Sequence, residues 1–142
     1  MEISAYILAV AIAWIAAQGL KYIYAMIRHH RFDRIRQLYF SGGMPSAHSS
    51  SVIALVTVVA LKDGVEGGLF ALSLLFAAIV MYDAMMVRRS SGEQGIALQK
   101  LIREQESTIP LPRAARGHTP LEVIVGALVG ALIGLVVFLA TK

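Results

Sequence analysis

The chain contains no cysteine. Disulfides, thiolate nucleophiles and cysteine-held metals are therefore excluded, and the redox compartment goes unread. Charge is also scarce: 15% of the 142 residues are Asp, Glu, Lys or Arg, and 57% are hydrophobic. A soluble domain carries ~25% charged and ~45–50% apolar residues. The apolar excess is gathered into long runs, as a lipid-facing protein requires. The start, Met1-Glu2-Ile3-Ser4, lacks the basic region of a signal peptide. The apolar stretch behind it is longer than a typical signal-peptide core and no clear small-x-small cleavage site follows, so it reads as a retained span. There is no internal repeat and no low-complexity tail. The length fits one membrane domain over 1–142.

Four apolar runs predict an all-α integral membrane protein with spans over about 4–27, 47–61, 66–87 and 120–140. At ~1.5 Å per residue the first run crosses a ~30 Å bilayer core. The second is short, which suits a helix that sits deep in the bundle or one that starts below the headgroups. Lys62-Asp63-Gly64 reads as a tight turn. The other two connections are long and basic, and hold 10 of the 13 Lys and Arg residues. With four spans they share one face of the membrane. Within the second, Ile96, Leu98, Leu101 and Ile102 recur at near-helical spacing, predicting a short interfacial amphipathic helix over about 93–106. Ile109-Pro110-Leu111-Pro112 breaks it. The net charge of +4 is read as cations gathered on the cytoplasmic side or around an anionic headgroup, with membrane lipids as partners and no nucleic acid. Gly126, Gly130 and Gly134, four apart, let another helix approach closely. That helix belongs either to the same bundle or to a second copy in a homodimer.

Four segments carry candidate chemistry. In Ser41-Gly42-Gly43-Met44-Pro45-Ser46-Ala47-His48, Pro45 is expected to begin a helix whose free N–H groups form an anion site. Ser46 adds a hydroxyl and His48 a group that exchanges a proton near neutral pH. The plainer reading is a serine-capped helix with an incidental histidine. In Arg116-Gly117-His118-Thr119-Pro120-Leu121-Glu122, His118 and Glu122 stand four apart, so a helix would let Glu122 orient the imidazole as a nucleophile toward phosphorus. The plainer reading is a helix cap with a first-turn acid. Lys21 and Arg28 stand two turns apart on one face of the first span. A lysine within the membrane boundary is a functional candidate, or else snorkels to the headgroups. Asp83, near the end of an apolar run, needs a cationic partner, either Lys21 or an arginine. Arg88 and Arg89 offer forked donors suited to phosphate, or simply end a span. All these residues fall at one membrane face. Two histidines with convergent cations are what phosphoryl transfer needs.

These residues resemble the type 2 phosphatidic acid phosphatase (PAP2) superfamily, whose site is shared with vanadium-dependent haloperoxidases. They are most similar to its divergent membrane branch, small bacterial and plant proteins related to acid phosphatases and those haloperoxidases. The resemblance covers essentially the whole chain. The superfamily has Lys and Arg separated by six residues and followed by Pro; Lys21 and Arg28 keep the spacing, with His29 for Pro. Pro45-Ser46-Ala47-His48 stands for Pro-Ser-Gly-His. His118 and Glu122 stand for the His-x3-Asp of the third motif. Its upstream Ser-Arg is missing: Arg113 lies one residue too near, and Arg88 or Arg89 would substitute.

The resemblance implies a lipid phosphatase or diphosphatase with His118 as nucleophile, Glu122 orienting it and His48 as general acid. Lys21, Arg28, Ser46, the Ala47 backbone and Arg88 or Arg89 would hold the phosphoryl group, with Asp83 behind them. No metal or other cofactor is needed; phosphate or vanadate would fit the same site. The positive-inside rule puts that site on the cytoplasmic side of a bacterial cytoplasmic membrane, whereas classical integral members are expected to work on the outer face. The alternatives are a catalytically silent binder or carrier of phospholipid or phosphate, and an interaction protein using the glycine face. Nothing in the sequence suggests peroxide chemistry.

Overall fold

A computed structural model of the chain describes residues 4–29, 43–112, 114 and 117–142, with the side chains of residues 28 and 29 outside the description. The protein is an all-α membrane protein. Its helices are α1 (Ala5–His29), α2 (Ala47–Lys62), α3 (Gly68–Tyr82), a π-helical turn (Asp83–Val87), α4 (Arg88–Glu104) and α5 (Pro120–Ala140). The parts containing Ala5–Ile27, Gly68–Glu104 and Pro120–Ala140 are long and apolar enough to cross a membrane. At 16 residues, α2 is about 24 Å long, short of a ~30 Å core.

The amphipathic segment expected as a separate helix is instead the end of one continuous 37-residue helix, Gly68–Glu104. No proline lies between Val87 and Glu104, and the π turn carries the hydrogen bonding through the arginine pair instead of stopping it. The helix stops where Glu106 takes a positive φ of 49°. There Ser107 N donates to Ile102 O and Glu106 N to Arg103 O, both at 3.2 Å. This is a Schellman-type end with glutamate where glycine is usual.

The short helix α2 sits in the middle, packed against α1, α3 and α5. Small residues permit this. Ala5, Ala9, Ala13 and Ala17 form a buried stripe on α1. Ser50 Oγ crosses to it, donating to Ala13 O at 3.3 Å. On the other side lie Gly126, Gly130 and Gly134 of α5, all buried. A Cβ at 126 would run into Ser46 O, and one at 130 into Ser50 O. One at 134 would lie 2.7 Å from Thr57 Cβ and 2.8 Å from Ala54 O. The backbones of α2 and α5 therefore touch, as lipid-embedded helices do when no hydrophobic force drives them together. Of the two readings of Gly126, Gly130 and Gly134, the structure shows packing within the same bundle: helix α2 of the same chain covers those glycines, which leaves no room there for a helix of a second copy. Helix α3 presents Leu69, Leu72, Leu75, Phe76 and Ile79 outward, as a lipid-facing helix should.

At one end of the bundle Tyr6 Oη donates to both carboxylate oxygens of Asp63, at 3.0 and 2.8 Å, and Lys62 Nζ donates to Thr141 O at 3.4 Å. The start of α1 and the ends of α2 and α5 therefore meet there. The end of α1, the start of α2, the π turn and the start of α5 meet at the other end, where the chemistry-bearing residues lie.

A methyl group at Gly130 has no room, so Gly130→Ala should cost about 1–3 kcal/mol, the usual range for overpacking. Gly19→Ala on α1, where a Cβ meets nothing within 4 Å, should be neutral or slightly stabilising. Thermal unfolding of both variants in the same detergent checks the contrast.

Candidate active site

The start of α5 is built on a capping box. Thr119 is the N-cap and Pro120 the first helical residue. Glu122 N donates to Thr119 Oγ1 at 3.3 Å, and Thr119 N donates to Glu122 Oε2 at 3.2 Å. The same Oε2 lies 2.9 Å from His118 Nδ1. A carboxylate only accepts, so Nδ1 carries the hydrogen and Nε2 keeps its lone pair. The His118 side chain is 2% exposed. Burial pushes its pKa below the usual value of about 6.5. The hydrogen bond and charge of Glu122 pull it back up, while Lys21 and Arg88 add to the lowering, and the net shift is downward. At neutral pH the imidazole is uncharged and oriented.

The loop carrying His118 is held by main-chain contacts. Arg88 N–H, which in an α-helix would bond Ala84 O, goes to Asp83 O across the π turn. Ala84 O instead accepts His118 N–H at 2.9 Å. Gly117 completes the fit: a Cβ there would lie 2.6 Å from Arg89 Cα. Only a residue without one can lie flat on the long helix.

The start of α2 corrects two expectations. Pro45 does not begin the helix; Ser46 caps it. Ser46, expected to offer its hydroxyl to phosphate, is 0% exposed. Its Oγ accepts from Ser49 N at 3.4 Å and Ser49 Oγ at 3.0 Å. Its N–H donates to Glu122 O at 3.0 Å, joining the two histidine segments through backbone. The Ala47 side chain is buried as well. The N–H groups of Ala47 and His48 have no acceptor within the helix, as first-turn donors. The His48 side chain is exposed.

The cations divide. Lys21 is half-buried and its stem passes Gly43, whose Cβ would lie 3.9 Å from Lys21 Cγ and Cδ. Lys21 is within electrostatic reach of Glu122 and of both histidines. Arg88 also reaches both histidines. It is the partner that Asp83 needed, with Nε 2.7 Å from Asp83 Oδ2. Asp83 in turn lies within reach of His48, and so does His118. Arg89 does not join this group. Its Nε pairs with Glu93 at 3.1 Å, and both side chains are exposed, because it sits one residue further round the helix. Arg28 falls in the last turn of α1, with its side chain outside the described residues; Arg113 and Arg116 also lie outside them.

The structure thus brings together Lys21, His48, Asp83, Arg88, His118 and Glu122. It leaves Arg89 outside and turns the Ser46 hydroxyl inward. Among the described residues no three His, Asp or Glu side chains cluster as a metal site would require. The Ala84 carbonyl and the π turn were not anticipated. The available signal was an acid and an arginine five apart at the end of an apolar run, a spacing that a regular α-helix would not pair.

The family model described as "Divergent PAP2 family" matches residues 3–133. The chain is similar to the uncharacterized membrane protein YuiD of Bacillus subtilis (strain 168), with 43% identity over 103 residues. That match covers 62% of this chain and 65% of the relative's length, so the chain spans just under two thirds of that protein. No solved structure matches the chain significantly.

Because the Glu122 carboxylate raises the pKa of His118 while burial lowers it, Glu122→Gln should move the imidazole titration further below its wild-type position. Nitrogen-15 NMR of labelled histidine reads this directly. A titration that stays put would mean that the carboxylate does not reach the ring in the membrane.

Proposed function

The chain belongs to the divergent PAP2 family, and we propose that it is a metal-independent lipid phosphatase or diphosphatase working through a phosphohistidine. The observation that carries this reading is the buried His118, with Nδ1 on Glu122, beside His48, Lys21 and Arg88.

His118 Nε2 attacks phosphorus, forming a P–N bond as the P–O bond to the leaving group breaks. His48 gives that oxygen its proton. His48 then takes a proton from water, which attacks the phosphohistidine, releases phosphate and restores His118. Glu122 stabilises the positive charge on the ring while phosphorus is attached. Lys21, Arg88 and the N–H groups of Ala47 and His48 balance the charge on the equatorial oxygens. By the family resemblance Arg28 joins them. In this mechanism Ser46 acts by joining α2 to α5 and does not touch the substrate.

The membrane setting favours a lipid. Helix α2, about 24 Å long, begins several ångströms inside a ~30 Å core if its Lys62 end lies at the opposite surface. A phosphate on a lipid reaches that depth while its chains stay in the bilayer. Polyprenyl diphosphate, phosphatidate and phosphatidylglycerol phosphate are the substrates to test. The basic connections favour a cytoplasmic site. One observation favours a second reading, a phospholipid binder without turnover: the usual Asp is replaced by Glu122, and its carboxylate also caps α5.

Purified protein in lipid, without added metal, should release phosphate from at least one of these substrates. His118→Ala should reduce that rate by about a thousandfold or more while folding persists. The wild-type rate should fall as pH drops through the His118 pKa, because protonation removes the lone pair. With that pKa depressed, the fall should lie below pH ~6.5. Full activity in His118→Ala would sink the histidine mechanism. Binding without release by any substrate would favour the binder.

A further inference from the structure

The geometry points to Asp83 as a positioning residue: through the π turn it holds Arg88 by Nε, leaving the outer edge of the guanidinium to grip the phosphoryl group. This rests on the phosphate site proposed above and assigns a device within it.

The pair could not form in a regular helix. Residues five apart in an α-helix are about 140° apart around the axis, on different sides. Over Asp83–Val87 the helix follows the i→i+5 pattern, which brings residue 88 back over residue 83. Asp83 then holds Arg88 twice. Its carbonyl accepts the Arg88 N–H, and its Oδ2 accepts from Nε at 2.7 Å. A guanidinium has five N–H donors in a planar fork. Asp83 uses the inner one. Among the described residues the two Nη groups have no other ion-pair partner. Both groups are only partly exposed, at 38% for Arg88 and 37% for Asp83.

The same turn frees Ala84 O to hold His118 N–H. One irregular turn therefore places the nucleophile's backbone and aims the arginine. It also selects Arg88 over Arg89, whose Nε is taken by Glu93 on the outer surface. The arginine of the superfamily's Ser-Arg, missing at its expected place before His118, is thus supplied by another helix, with its own carboxylate as a rest. A substrate phosphate meets the two free Nη groups without displacing Asp83.

The test uses the full chain in lipid nanodiscs, with orthovanadate binding measured by calorimetry and phosphate release from phosphatidate measured in parallel. Asp83→Asn keeps the shape and removes the charge. It should weaken vanadate binding about tenfold, as loss of a charged hydrogen bond does, and should raise KM more than it lowers kcat. Arg88→Ala should weaken binding by about tenfold to a hundredfold. Arg89→Ala should stay within about twofold of wild type. The Asp83→Asn/Arg88→Ala double variant should bind no worse than Arg88→Ala alone, a non-additivity that a general loss of structure would not produce. Wild-type affinity in Asp83→Asn, or a further loss in the double variant, overturns the inference and leaves the phosphatase reading standing. Vanadate binding that follows the expected pattern without any phosphate release supports the positioning role and counts against turnover. No vanadate binding by the folded wild type overturns both.

Discussion

The contact on which this structure rests is between main chains. At Gly126 the backbone of α5 comes so close to Ser46 of α2 that a single added carbon would collide with a carbonyl oxygen. Four residues earlier, Glu122 O accepts the Ser46 N–H. One helix pair, brought together by the absence of side chains, thereby sets the separation of the two histidine-bearing segments. In hydrocarbon there is no hydrophobic gain from pressing helices together, so close packing and buried hydrogen bonds must supply the association. The alanine stripe on α1 does the same on the other side of α2, and the end of the bundle that carries the histidines inherits the rigidity of this three-helix contact.

A single carboxylate oxygen then links helix geometry to chemistry. Glu122 Oε2 accepts from Thr119 N and from His118 Nδ1. A capping box favours glutamate or glutamine at that position because the side chain must reach back to the N-cap. This gives a structural reason for the longer acid where the wider superfamily has aspartate. The cap positions the carboxylate, and the carboxylate positions the ring. Helix start and imidazole orientation are therefore one arrangement.

Much of the fold was legible because lipid imposes strong patterns. Long apolar runs marked the helices, and basic connections marked the face on which they converge. The Lys21, His48 and His118 segments could be assigned to one end of the bundle by counting spans. Three features were not legible, each for a local reason. A serine behind a proline at a helix start signals a cap and an anion site equally, and only the approach of α5 turned the Ser46 hydroxyl inward. Arg88 and Arg89 are neighbours in sequence, and which one faces the histidines depends on the phase of the helix. That phase is set by the π turn, which has no periodic signature. The arginine pair looked like the end of a span, yet hydrogen bonding ran on through it and made the amphipathic segment a continuation of α3.

The central place of α2 also bears on how such a chain is made. This helix is short, carries Ser46, His48, Ser49, Ser50 and Ser51 in its first turns, and finds its closest partner in α5, the last helix in chain order. During synthesis α2 reaches the bilayer long before that partner exists. Its hydroxyls must wait beside α1 while the long helix and the connection after it are translated, at a cost that hydrocarbon does not forgive. Helices α1, α2 and α5 and the long helix each contribute a residue to the cluster of Lys21, His48, Arg88 and Glu122, and His118 stands just ahead of α5. A nascent chain caught before α5 inserts has His48 and Lys21 in place but neither His118 nor Glu122, so the cluster is incomplete until α5 has been made.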